Sequence, residues 1–173
     1  MRLHERRRGS TAVPAGQSGP DIVSGVLDAG WVPVSGQPAG VPHTQLNLDP
    51  DFLAIAERLK KRYVLAMLSN DVSEWSAYLR RRFSLDRFFA SVVISGDHGF
   101  RKPDRRLYHV LLESLSVASS RCVFVDDQPR NLETASQLGM HTVCRLRNDR
   151  GPPTYERAIE SLSDLLTLLW RKH

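Results

Sequence analysis

Three apolar runs in this chain lead into residues that can handle a metal ion or an anion. Cys122-Val123-Phe124-Val125 runs into Asp126-Asp127, and Tyr63-Val64-Leu65-Ala66-Met67-Leu68 runs into Ser69-Asn70. Ser91-Val92-Val93-Ile94-Ser95 continues through a polar loop to Lys102-Pro103-Asp104. Adjacent carboxylates repel each other unless a cation shares them, and a hard ion such as Mg2+ prefers oxygen ligands. Asp126-Asp127 therefore reads as half of a metal site. The hydroxyl of Ser69 and the amide of Asn70 are donors suited to an anion.

Four or more apolar residues without polar alternation read as a strand covered on both faces, the pattern of parallel sheets. Between the runs lie helical spacings: Phe52, Ile55, Ala56 and Leu59; Trp75, Tyr78 and Leu79; Leu107, Leu111 and Leu115. Strand alternating with helix predicts right-handed crossovers and an α/β fold with a doubly wound parallel sheet. Ligands of such sheets bind at the carboxyl ends of the strands, where all three chemical clusters would fall. Upstream, Ile22-Val23-Ser24-Gly25-Val26-Leu27 is the segment in which an apolar run ends in an aspartate, Asp28, followed by Ala29-Gly30. Asp28 is either a reactive carboxylate at a strand end or a turn residue. Asp49-Pro50-Asp51 reads instead as a helix N-cap with proline at the first helical position.

Ser69-Asn70, Lys102-Pro103-Asp104, and Val125-Asp126-Asp127 followed by Asn131 and Gly139-Met140 occur in the order and spacing of the second to fourth motifs of the haloacid dehalogenase-like hydrolase superfamily, in its phosphatase-type branch. The resemblance covers roughly residues 50 to 146, and Asp28-Ala29-Gly30 resembles the first motif in a variant with glycine in place of the second aspartate. It implies a Rossmann-like core and Mg2+-dependent phosphoryl transfer to an aspartate. By that resemblance Asp28 is the nucleophile; Asp28, the Gly30 carbonyl and Asp127 hold Mg2+; and Ser69, Asn70 and Lys102 bind the phosphoryl group. Asp126 and Asn131 orient the metal ligand and Lys102 from behind. Gly30 cannot supply the general acid that the family's second aspartate provides, a loss worth about 100- to 10,000-fold in rate.

Ser69 follows Asp28 by 41 residues, and the stretch from Pro33 to Leu48, with Gly36, Pro38, Gly40 and Pro42, reads as a loop. Most relatives in this branch carry a helical cap domain at that place; here the cap is expected to be largely absent, which leaves the site open to a bulky phosphorylated substrate. Gly30 and the missing cap also favour an alternative, a catalytically impaired binding or assembly protein of the same fold, while the complete set of Ser69, Lys102 and Asp127 weighs against it. Dehalogenation of a small acid is disfavoured, because that branch dispenses with the metal and the acidic pair would then be a liability.

The chain has 173 residues, 41% apolar, enough for one core without disulfides. Residues 1–19 are expected to form a disordered basic arm containing Arg2, Arg6, Arg7 and Arg8, and residues 20–173 a single α/β domain. The formal net charge of +5 is concentrated partly in that arm. Arg80, Arg81 and Arg82 read as a solvated helix end, and no aromatic residues are interleaved to favour nucleic acid. Cys122 and Cys144 fall in expected strands as core thiols, no membrane-length apolar run is present, and a cytoplasmic setting follows. Homo-oligomerisation stays open. His98 has no second histidine or cysteine at ligand spacing and reads as a solvent-exposed loop residue.

Overall fold

Among the described residues there are six strands and five α-helices. In order they are β1 (Ile22–Ser24), α1 (Phe52–Leu59), β2 (Val64–Ser69), α2 (Ser73–Arg82), β3 (Phe89–Ile94), α3 (Arg105–Leu115), β4 (Cys122–Asp126), α4 (Pro129–Gln137), β5 (His141–Arg145), β6 (Ala158–Ile159) and α5 (Leu162–Trp170). They belong to a computed structural model that describes residues 22–24, 51–146, 155 and 157–170, with backbone alone for 22–24 and 170. Asp28, Gly30, the arm at 1–19 and the stretch expected to replace the cap lie outside the described residues.

The sheet has the order β3-β2-β1-β4-β5-β6, and every pair of neighbours is parallel. The apolar runs form strands because each presents one set of side chains to either face. In β4, Cys122 and Phe124 pack on one side, against Leu107, Tyr108 and Leu111 of α3 and Leu132 and Ala135 of α4. Val123 and Val125 pack on the other, against Phe52, Ile55 and Leu59 of α1 and Leu162, Leu165 and Leu166 of α5. Removing such a fully buried leucine costs about 2–5 kcal/mol, so the two-sided core holds the strand ends in place. The period-two alternation of β4 against helices spaced at 3.6 residues is what sets its carboxylates at the edge.

The helix starts differ in detail from the sequence expectation. α1 begins at Phe52 with Asp51 as N-cap and no side-chain capping bond, rather than with proline at its first turn. α4 does start with Pro129 at its first position, where the absent N–H costs nothing. It ends before Gly139, whose φ of +87° is a left-handed conformation that a Cβ would penalise. In α2 the inward side chains are Ser76 and Leu79, so Trp75 and Tyr78 are not core residues as their spacing implied. Leu162, Leu165, Leu166 and Leu169 of α5 are core, as expected.

Candidate active site

The chain reverses its direction of progress between β1 and β4: β2 and β3 are added on one side, β5 and β6 on the other. In doubly wound sheets a crevice opens at this switch point, outside the carboxyl ends of the strands. Ser69 is the last residue of β2, Asp126 the last of β4, and the loop from β3 into α3 carries Lys102.

Lys102 and Asp126 are both buried, 4% and 2% exposed, and the lysine Nζ donates to Asp126 Oδ2 at 2.7 Å. The other oxygen of Asp126, Oδ1, accepts from the backbone N–H of Gln128 at 2.8 Å and from Asn131 Nδ2 at 3.1 Å. Both oxygens of Asp126 are thereby engaged, by the lysine, the entry to α4 and Asn131. The two adjacent carboxylates thus have different partners. Successive residues at a strand end project in opposite directions, and Asp127, 5% exposed, has its own contact, Gln128 Nε2 donating to its Oδ2 at 3.2 Å. Two buried carboxylates against one buried ammonium leave an excess of negative charge at the tip of β4.

Asn70 has a role that its residue type alone did not disclose. Its Nδ2 donates to the Lys102 carbonyl at 2.9 Å, and its Oδ1 accepts from the Lys102 N–H at 2.7 Å. The side-chain amide thus clamps the backbone of the Lys102 loop with its oxygen and one of its two N–H groups. The Lys102–Pro103 peptide bond in the clamped loop is cis. Lys102 Nζ also lies 5.7 Å from the centre of the Phe124 ring, a favourable position for a cation over a π face.

Further residues build the rim. Asp71 N–H donates to Ser95 Oγ at 3.0 Å, Ser95 Oγ donates to the Asp71 carbonyl at 3.1 Å, and the N–H of Gly96 donates to the same carbonyl at 3.0 Å. Tyr108 donates its hydroxyl to the Asn131 carbonyl at 3.0 Å from a fully buried position, and burial, reinforced by the negative charge of Asp126, pushes its ionisation well up. Burial likewise pushes the Asp71 carboxyl above its ordinary value, against the opposing pull of the Val72 N–H. Of these, Ser95 carried a sequence signal, since it ends the third apolar run; Gln128 and Tyr108 carried none. His98 is exposed and tilts against the Phe100 ring at 5.8 Å. Cys122 and Cys144 are buried and take no part in a disulfide.

Among the described residues no group of three His, Cys, Asp or Glu side chains is placed to hold a metal. One hard oxygen ligand, Asp127, fits Mg2+ all the same, because that ion is commonly held by one or two carboxylates and retains several waters. Asn131 Oδ1, buried without a hydrogen-bond partner, is an acceptor in the same region for a donor that the described residues do not provide.

Comparison with known proteins meets this geometry from outside. The family model of the haloacid dehalogenase-like hydrolases matches residues 20–139. An (S)-2-haloacid dehalogenase 4A of Burkholderia cepacia is 32% identical over 73% of this chain and 57% of its own length. A phosphoserine phosphatase of Thermus thermophilus is 33% identical over 51% of this chain and 36% of its own. The crystal structure of a phosphatase of the same family from Thermococcus onnurineus superposes with a TM-score of 0.67 at 25% identity, over 73% of this chain and 60% of the other. The chain thus spans little more than half the length of the Burkholderia relative, and less of the Thermus one. With the parallel sheet, its switch point and the matched stretch in agreement, the chain belongs to the haloacid dehalogenase-like hydrolase family.

Proposed function

We propose that this chain is a Mg2+-dependent phosphatase that works through an aspartyl-phosphate on Asp28. The observation that carries the reading is the buried Lys102–Asp126 pair with Asp127 beside it at the carboxyl end of β4. A desolvated ammonium there is a fixed positive charge for a phosphoryl oxygen, and a fixed charge stabilises the transition state more than a mobile one in water. Asn131 and the Gln128 N–H hold Asp126, Asp126 holds Lys102, and Asn70 holds the lysine backbone. Lys102 therefore meets the substrate without reorganising. Ser69 and the backbone at Asn70 bind the remaining phosphoryl oxygens.

β1 runs parallel between β2 and β4, with Ser24 paired to Ala66. Asp28 follows four residues later, which supports its assignment as the nucleophile beyond that strand end. Asp28, the Gly30 carbonyl and Asp127 would hold the Mg2+, which when bound offsets the repulsion between carboxylate and phosphate. Asp28 attacks phosphorus in line, the leaving group departs, and water hydrolyses the acyl phosphate. With glycine at position 30 the leaving group departs without a positioned proton donor, so activated esters are the better substrates. The reading takes residues 20–173 as one domain with residues 1–19 as an arm, a reduced cap, an open site and a cytoplasmic setting; no helix among the described residues is long and apolar enough to cross a membrane.

Similarity to the Burkholderia relative, named for (S)-2-haloacids, favours dehalogenation as a second reading. Similarity to the Thermus relative, named for phosphoserine, favours phosphate esters. The buried Asp127, which a metal-free reaction on an anionic substrate would have to work against, supports the phosphatase. Phosphate release from an activated aryl phosphate and halide release from a 2-halo acid are measured with and without Mg2+, in the wild type and in Asp127→Ala. Metal-dependent phosphate release that Asp127→Ala abolishes is expected. Halide release indifferent to Mg2+, with no phosphate release, overturns the reading in favour of the dehalogenase.

A further inference from the structure

α2 turns Ser76 and Leu79 into the protein, yet its apolar residues do not end there. Val72, Trp75 and Tyr78 follow one another at intervals of three and form a second stripe on the helix flank. The rings of Trp75 and Tyr78 stack, with centroids 5.4 Å apart and planes inclined by 18°. Val72 is 62% exposed, the most exposed large apolar side chain among the described residues. With Glu74 these three side chains line a depression of about 490 Å3, a volume within the usual range of small-molecule sites. Isolated exposed apolar residues are ordinary, whereas a contiguous concave set marks a binding surface.

The place of this shelf says what it would bind. Helical side chains lean toward the helix N-terminus, and the N-terminus of α2 lies at the carboxyl edge where β2 has just ended. Val72 follows Ser69 by three residues, so its Cα lies at most about 10 Å from that of Ser69. The shelf is also fixed relative to the Lys102 loop. The Gly96 N–H and Ser95 Oγ both bond the Asp71 carbonyl, and a Cβ on Gly96 would stand 2.9 Å from the backbone N of Ser73, so only glycine permits this approach. Asp71 and Glu74 at the shelf disfavour any further negative charge on what rests there.

We propose that Val72, Trp75 and Tyr78 receive the leaving group of the substrate, which is then a phosphomonoester of an uncharged, aromatic or similarly planar apolar alcohol. The assignment rests on the phosphatase reading and deepens it. The phosphoryl group sits at Ser69 and Lys102, and the leaving group lies across α2 against the faces of Val72 and Trp75.

The test compares kcat/KM for 1-naphthyl phosphate with that for acetyl phosphate, a small activated substrate without a ring, in the presence of Mg2+. Acetyl phosphate has the more acidic leaving group, so the wild-type ratio serves as the reference against which the variants are read. Trp75→Ala should lower the ratio of the two values about tenfold, and Val72→Ser about threefold, the size of an aromatic or apolar contact. Val72→Ser acts at an exposed position and keeps the test valid if Trp75→Ala folds poorly. A ratio within twofold of wild type in Val72→Ser and in folded Trp75→Ala overturns the shelf while the phosphatase stands. Failure of the wild type to hydrolyse either compound overturns the phosphatase reading, and this assignment with it.

Discussion

At the carboxyl edge of the sheet the side chain of Lys102 is 5% exposed and meets Asp126 at 2.7 Å, whereas Lys60, at the amino edge where α1 ends, is 41% exposed and meets Glu57 at 3.7 Å. The amino edge has many more charges: Arg58, Lys60, Lys61, Arg62, Arg81, Arg82 and Arg87 are all exposed there. Arg87 reaches Glu57 at 3.8 Å and lies over the Phe88 ring at 4.6 Å. Those cations keep their hydration, and each exposed pair is worth about 0–1 kcal/mol. Lys102 and Asp126 have given theirs up at several kcal/mol per ion, which their mutual attraction does little more than return. Stability alone therefore does not account for the pair at the carboxyl edge, whereas the proposed phosphatase gives its fixed charge a task. Burial and bonding of charge, rather than its density, set the carboxyl edge apart.

The largest effect should come from breaking the buried pair. Lys102→Met leaves Asp126 buried without its counter-ion, an expected loss of about 3–5 kcal/mol in urea denaturation, together with loss of activity. The double substitution Lys102→Met with Asp126→Leu should recover most of that stability and none of the activity. Next comes the clamp: Asn70→Ala removes two hydrogen bonds to the Lys102 backbone and should cost about 1–3 kcal/mol, with a fall in kcat from the loosened loop.

Two aspartates sharpen the contrast through pH. Asp71 has its carboxyl raised by burial, so the protonated form suits the fold. Its contribution is complete below the ordinary carboxylate value and is lost as pH rises through the raised one. Thermal melting of Asp71→Asn between pH 3 and 6 should therefore decline less with rising pH than that of the wild type. Asp104, the N-cap of α3, is held down at about 2 by the Arg106 guanidinium and its N–H. Its contribution is present above the ordinary value of 3.8 and lost as pH falls toward 2, and Asp104→Asn should remove that acid limb. Smallest of all, Glu57→Gln at the amino edge should change stability by less than about 0.5 kcal/mol despite deleting the acid that Lys60 and Arg87 share.

Sheet and site differ in how much of each the sequence makes legible. The unbroken runs at 64–68 and 122–125 identify themselves because a strand covered on both faces needs no polar alternation, and the positions of Ser69, Lys102, Asp126 and Asp127 follow from their ends. β6 is harder to see: two residues, Ala158 and Ile159, carry no period. Trp75 and Tyr78 fit a helical spacing together with Leu79, but a spacing does not say which of two adjacent stripes faces inward, and the small Ser76 takes the core position instead. Asn70 and Asp126 are polar residues whose partners lie 32 and 24 positions away in the chain, and such contacts have no local signature. The separate duties of Asp126 and Asp127 emerge only when the strand end is built.

The buried charges at β4 are a phosphoryl site only if a nucleophile faces them, and Asp28 is the residue proposed for that role. Hydrolysis of an activated aryl phosphate in Mg2+ by the wild type and by Asp28→Asn tests this most directly. Turnover by the wild type is expected to disappear without the metal and to fall at least about a thousandfold in Asp28→Asn, on the scale of losing a covalent catalytic group. Turnover undiminished in Asp28→Asn, or absent from the wild type, would contradict that role.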